Sequence, residues 1–177
     1  MTNPIIRTMI AIVITLAASV TTAHAQLAFL NEKNQVIGKI SAAGKVIDPQ
    51  GQALGNITPD GKVIDPQGRA LGAINADGSI TNARNATIGK TSNGKTIGEN
   101  NQSLFQISSD GKVINPQNKV IATIKGDARN IADKTTLGKT AGKTTLANDD
   151  IKNLWASAFF IFFDKTNMAK TIKPTNP

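Results

Sequence analysis

Residues 44–60, GKVIDPQGQALGNITPD, and residues 61–77, GKVIDPQGRALGAINAD, agree at 13 of 17 positions. Self-similarity at a fixed period constrains a fold more firmly than any local propensity. A third clear copy, GKVINPQNKVIATIKGD, spans 111–127, and weaker copies fall at 27–43, 78–93 and 94–110. The apolar positions stay in column through all six units. One column holds Phe29, Val46, Val63, Ile80, Thr96 and Val113; a second holds Ile37, Leu54, Leu71, Ile88, Leu104 and Ile121. A third, three residues further on, holds Ile40, Ile57, Ile74, Thr91, Ile107 and Ile124.

Within a unit, Lys-Val-Ile-Asp is a short β-branched run, Pro-Gln-Gly a turn, Ala-Leu-Gly-x-Ile a second run and x-Asp-Gly another turn. Each unit therefore reads as a small hairpin. A Gly or Pro every few residues opposes helix, at a cost of about 1 or 3 kcal/mol each in a helix interior. Strands this short are unstable as isolated hairpins, so neighbouring units must share a core. The one-residue deletion in the fourth unit leaves Ser92-Asn93-Gly94, and Asn-Gly is a favoured hairpin corner. Spacing of three between Leu71 and Ile74 breaks strict alternation and predicts a bend at Gly72. The expected fold is all-β: about six 17-residue hairpins over residues 26–127, closed radially like a flower or propeller, because a short stack would leave two open edges. A basic polar linker (128–150), an aromatic segment (151–165) and a disordered tail (166–177) follow.

The phrase GKVIDPQGxALGxI, carried by residues 27–127, resembles the units of the bacterial exported family called five-fold β-flower proteins, and more loosely the short glycine-marked repeats of some fungal proteins. The resemblance implies hairpins arranged about an axis and no assigned activity, so it transfers no functional residue. Six units are present here where that name implies five.

Residues 1–25 read as a secretory signal: Arg7 supplies the positive start, Met9 to Val20 the apolar run, and Ala23-His24-Ala25 a small-x-small cleavage site. The run is short of the ~20 apolar residues that span a bilayer. Cleavage after Ala25 is expected, giving a periplasmic, cell-surface or secreted product. The chain has no cysteine, so no disulfide staples the fold, and its one histidine, His24, lies within the signal. No imidazole is left for acid-base work or metal ligation.

Gly89-Lys90-Thr91-Ser92-Asn93-Gly94-Lys95-Thr96 matches the phosphate-cradling pattern G-x-x-x-x-G-K-[ST]. Both glycines are ordinary positions of the repeat, however, and Ile97-Gly98-Glu99-Asn100 does not open the helix that such a loop requires. Asp48, Asp60, Asp65, Asp77, Asp110 and Asp127 recur at corners. One carboxylate per corner suits turn stabilisation better than Ca²⁺, which wants six to eight oxygens. No pair stands out for hydrolysis. A catalytic site, a cofactor and a metal are accordingly not expected, and an enzyme is not the preferred reading. The alternative is a secreted carbohydrate-active or hydrolytic protein using turn carboxylates. A soluble ligand carrier would need a sizeable apolar cavity.

Charge is uneven. Residues 26–83 carry five basic and five acidic groups, whereas residues 84–145 carry ten basic and four acidic ones. An anionic partner such as a membrane surface or an acidic polysaccharide suits this half, with Lys112, Lys119, Lys125, Arg129, Lys134, Lys139 and Lys143 as candidate contacts; the competing reading is a solvated basic face. Nucleic acid is the least favoured partner, since the basic half lacks aromatics to stack on bases. Near the C-terminus, Trp155, Phe159, Phe160, Phe162 and Phe163 form a conspicuous apolar stretch. It reads as a terminal element of the core, as an interfacial membrane contact, or as a docking patch for another envelope protein. The functional expectation is an exported, non-enzymatic structural or binding protein of the cell envelope or extracellular space.

Overall fold

A computed structural model describes residues 25–128, 139–140, 143–144 and 146–164. Each unit forms two strands, and the twelve strands follow one another around a closed antiparallel barrel. In chain order they are β1 (Ala25–Asn31) and β2 (Val36–Ser41), β3 (Lys45–Ile47) and β4 (Ala53–Ile57), β5 (Lys62–Ile64) and β6 (Ala70–Ile74). Then come β7 (Ser79–Asn82) and β8 (Thr87–Ser92), β9 (Lys95–Gly98) and β10 (Ser103–Ile107), β11 (Lys112–Ile114) and β12 (Val120–Gly126). β12 returns to β1, from Leu27 opposite Gly126 to Asn31 opposite Ala122, so the ring has no free edge. The all-β, radially closed arrangement of six hairpins is therefore the observed one. At the deletion corner Ser92 pairs with Lys95, and Asn93 and Gly94 both take positive φ, 50° and 75°.

The three-residue spacing in each unit has a different cause from a bend at glycine. Val63 lies opposite Gly72 but Ile64 lies opposite Ala70, which leaves Leu71 as the extra residue of a β-bulge. The same slip leaves Ile37, Leu54, Ile88, Leu104 and Ile121 over in the other five units. All of the second column is thus bulge residues. Leu104 is buried, and the other five are half-buried against the core. The first and third columns point inward and are buried throughout.

The glycine column faces inward too, and the reason is what fills the barrel. A helix, α1 (Asn148–Ala158), continues through a π turn at Phe159–Phe163, and from Ile151 to Phe160 every residue except Lys152 is buried. A helix covered on all sides is a core element. A methyl group added to Gly38 would collide with the Phe159 ring, and one added to Gly72 would lie 2.7 Å from Phe162. Likewise the Phe163 ring lies against Gly55, and Ile161 lies against Gly89. In the last two units the column bears Phe105 and Ala122, and Phe105 tilts against Phe160 with centroids 5.4 Å apart. Phe29 stacks on Phe159 at 3.9 Å and meets Phe160 edge-on at 5.5 Å. The wide π turn, closed by the Asp164 N–H donating to the Phe159 carbonyl at 3.0 Å, lets successive side chains fan out to successive hairpins.

The segment expected as a free aromatic patch is thus the axis of the fold. Trp155, Phe159 and Phe160 are 2, 1 and 0 % exposed, so they cannot touch a membrane or a partner while the barrel is filled. Phe162 and Phe163 are half-buried at one mouth. The expected linker includes a short two-stranded ladder, β13 (Lys139–Thr140) and β14 (Lys143–Thr144), and α1 begins inside its last three positions. The expected signal up to residue 24 and the tail from 166 lie outside the described residues; Ala25 already belongs to β1.

Two columns break their aliphatic rule side by side, with Thr91 and Thr96 buried and their hydroxyls 3.0 Å apart. Ser157 of α1 lies 2.9 Å from each. Three buried hydroxyls at one place on a ring of near-identical units fix which way round the helix sits. Ser157→Ala is expected to cost about 1–2 kcal/mol, whereas Thr91→Val, Thr96→Val and Ser157→Ala together restore an apolar contact and stay within about 1 kcal/mol of the parent. Chemical denaturation of the two variants checks this, and a combined cost equal to several single ones would remove the hydroxyl cluster as the orienting device.

Candidate functional site

Carboxylates occupy the corners. Between the strands of a unit, the Asp48 side chain accepts from the N–H of Gln50 and of Gln52, and Asp65 accepts from Gln67 and Arg69. Asn31, Asn82 and Asn115 repeat the pattern, so the carboxylate charge is dispensable there and the acceptor oxygen is what the turn uses. At the other set of corners Asp60 takes a hydroxyl bond from Thr58, and Asp110 takes one from Ser108.

These environments bias the carboxyls toward ionisation. Bonds from Thr58 and Lys62 lower the pKa of Asp60, and those from Ser79 lower that of Asp77. Lys112 and Ser108 bring Asp110 to about 2. For Asp65 burial pushes upward, but the Arg69 and Gln67 bonds outweigh it and the pKa falls. A general acid needs the opposite displacement. Because the folded values lie below the unfolded one near ~3.9, this stabilisation is full above about pH 4. It is lost as pH falls through the folded values, toward about 2 for Asp110. The thermal midpoint is therefore expected to drop between about pH 4 and about pH 2, and D60N/D77N/D110N to flatten the drop. A midpoint that holds or rises on acidification would contradict the assignment.

Cations occupy the wall. The twelve barrel strands contain no Asp or Glu, and their only charged residues are seven lysines: Lys39, Lys45, Lys62, Lys90, Lys95, Lys112 and Lys125. Each neighbours inward-facing, buried residues in its strand, as Lys45 precedes Val46 and Lys90 lies between Gly89 and Thr91, so the amines lie on the outer face. Lys45, Lys62, Lys95 and Lys112 occupy one position of the repeat, directly after the corner glycine. Their spread around the ring follows from the repeat itself.

Of the seven expected anion contacts, Lys112 and Lys125 belong to this wall. Lys119 stands at a corner in an ion pair with Glu32 at 3.0 Å, and Lys112 pairs with Asp110 at 2.7 Å. Lys139 and Lys143 lie on the small β13–β14 ladder, while Arg129 and Lys134 lie outside the described residues. The wall lysines of the first half, Lys39, Lys45 and Lys62, were hidden by a net charge of zero, because the acids that cancel them sit at the corners. Their fixed place in the repeat was the available signal.

At the mouth next to the π turn, a cleft of about 690 Å³ is lined by the bulge residues Ile37, Leu54 and Ile121 with Phe159 and Phe163, beneath a rim that includes Glu32, Lys33 and Asp48. The barrel interior holds α1 where a carrier would hold its ligand. The pattern resembling a phosphate loop runs along β8 into β9, with Thr91 and Thr96 turned into the core and no helix after it. Among the described residues no group of three or more His, Cys, Asp or Glu could hold a metal ion, and no helix is long and apolar enough to cross a membrane. No family model, curated protein or solved structure matches the chain.

Proposed function

We propose that the chain is an exported, non-enzymatic binding or structural protein of the cell envelope or extracellular space, working through its outer surface. The observation that carries the reading is the filled barrel: α1 occupies the interior in which a β-barrel of this kind would admit a substrate. The corner carboxylates serve their own turns, which argues against the alternative of a hydrolase built on them. Export is supported by the leader-like residues 1–25, and cleavage after Ala25 leaves Leu27 to Asn31, the residues that close the ring, in the product. An anionic envelope component is the favoured partner, and another envelope protein is the second candidate.

Fractionating expressing bacterial cells and their medium, with N-terminal sequencing of the product, tests this. The expected product begins at Gln26 and is recovered outside the cytoplasm. A product that keeps residues 1–25 and stays in the cytoplasm, or a hydrolytic activity abolished by D48N/D65N/D77N in a folded protein, would overturn the reading.

A further inference from the structure

We infer that the lysine wall is a binding surface for a linear polyanion, specifically a carboxylated or sulfated polysaccharide, which lies around the outside of the barrel. The inference rests on the reading of the chain as an exported surface-binding protein and adds the ligand class and the residues.

Charge segregation is the first observation: amines alone on the strands, carboxylates at the corners. Cross-strand ion pairs are the usual way for a sheet to neutralise its lysines, and this sheet has none between strands, because no strand carries an acid. Lys62 and Lys112 reach back to Asp60 and Asp110 at 3.1 and 2.7 Å, but these pairs are exposed and weakly held, so a polyanion can displace them. Lys39, Lys45, Lys90, Lys95 and Lys125 have no carboxylate within ion-pairing distance among the described residues, and Asp77 only draws on Lys90 from further off.

Spacing is the second. Twelve strands about 4.8 Å apart make a perimeter of about 58 Å, or about one lysine per 8 Å. That is about one Debye length at physiological ionic strength, so neighbouring amines present a continuous positive band rather than isolated points. A band that goes round a convex wall offers only one side to a flat membrane, whereas a flexible chain with regularly repeated charges follows it.

The third observation separates polysaccharide from nucleic acid. All six phenylalanines and the one tryptophan belong to the core or pack against it. The wall therefore has no aromatic face on which bases could stack, and stacking is a main source of affinity for single strands.

The test is a titration of the intact protein with polygalacturonate, neutral dextran, a single-stranded oligodeoxynucleotide and phosphatidylglycerol vesicles at low and high salt. Polygalacturonate should bind, with affinity falling steeply as salt rises, and dextran should not. K39Q/K45Q/K90Q/K95Q should weaken binding at least tenfold with an unchanged thermal midpoint. K134Q/K139Q/K143Q, drawn from the segment before α1, should bind as the parent does. The half variants K39Q/K45Q and K90Q/K95Q give the same reading at smaller amplitude if the fourfold change disturbs folding. No binding to polygalacturonate, a loss caused by the second set and not the first, or tighter binding to the oligonucleotide or the vesicles would each overturn the inference. An exported protein that fails this titration refutes the wall alone; a cytoplasmic protein that passes it refutes export alone.

Discussion

Phe160→Ala should lower the unfolding free energy by about 3–5 kcal/mol, the range for deleting a buried aromatic ring. Phe160 is fully buried and touches Phe29, Phe105 and Phe159, so the vacated space lies on the barrel axis, where rings from both the wall and α1 meet. The first and third columns cannot shift inward to fill it, because hydrogen bonds around a closed ring fix its circumference. Removing residues 148–164 altogether should be harsher still and leave no cooperative thermal transition. Had the aromatic stretch been an external anchor, the truncated chain would stay folded and merely change its distribution between soluble and membrane fractions. Near-UV circular dichroism and calorimetry of the two variants decide between these outcomes. A truncated chain that melts cooperatively near the parent midpoint would refute the role given to α1.

Gly44→Ala should cost about as much for a different reason. Gly44 takes φ +83°, and an added Cβ would run into the carbonyl oxygen of Ile57 on the facing strand. The Ile57 N–H also donates to the Gly44 carbonyl at 2.9 Å, so the corner cannot swing away without breaking the ladder. Unfavourable φ alone is worth about 1–2 kcal/mol. The collision adds to it, and a total of about 3 kcal/mol or more is expected. Gly51 is the control: its φ is +84°, yet nothing lies within 4 Å of an added Cβ. Gly51→Ala should cost only the backbone share of about 1 kcal/mol, and Gly51→Asn less, since Asn34, Asn85 and Asn118 hold positive φ at the matching corners. Urea denaturation of the three variants measures the ranking. Equal costs at Gly44 and Gly51 would show that backbone conformation alone, and not the approach of the facing strand, demands glycine.

Much of this architecture was legible before any coordinates. Two-strand units, their corners, the inward direction of the first and third columns and the closure of the ring all follow from one 17-residue period, because turn chemistry and alternation are local. The contents of the barrel were not legible in the same way. Gly38, Gly55, Gly72 and Gly89 look like bend residues when only their own unit is in view; their role as recesses for Phe159, Phe163, Phe162 and Ile161 depends on a segment at least 72 residues away in sequence. The same is true of Thr91 and Thr96, which read as lapses of the repeat until Ser157 arrives between them. Leu71 and its equivalents lay at the boundary: three-residue spacing announced an irregularity, but a bulge and a bend have the same signature on paper. The lysine wall was legible and overlooked, since a sum of charges over a stretch of sequence discards which face each charge is on.

Because α1 comes after all twelve strands, and β12 must find β1 across about a hundred residues, a chain emerging from its N-terminus has neither its seam nor its centre until the last pieces appear. Contacts between such distant residues form slowly. During that interval the ring segments expose two rows of Val and Ile with nothing between them. The protein is thus built to stay loose while it is being threaded and to set in a single late step.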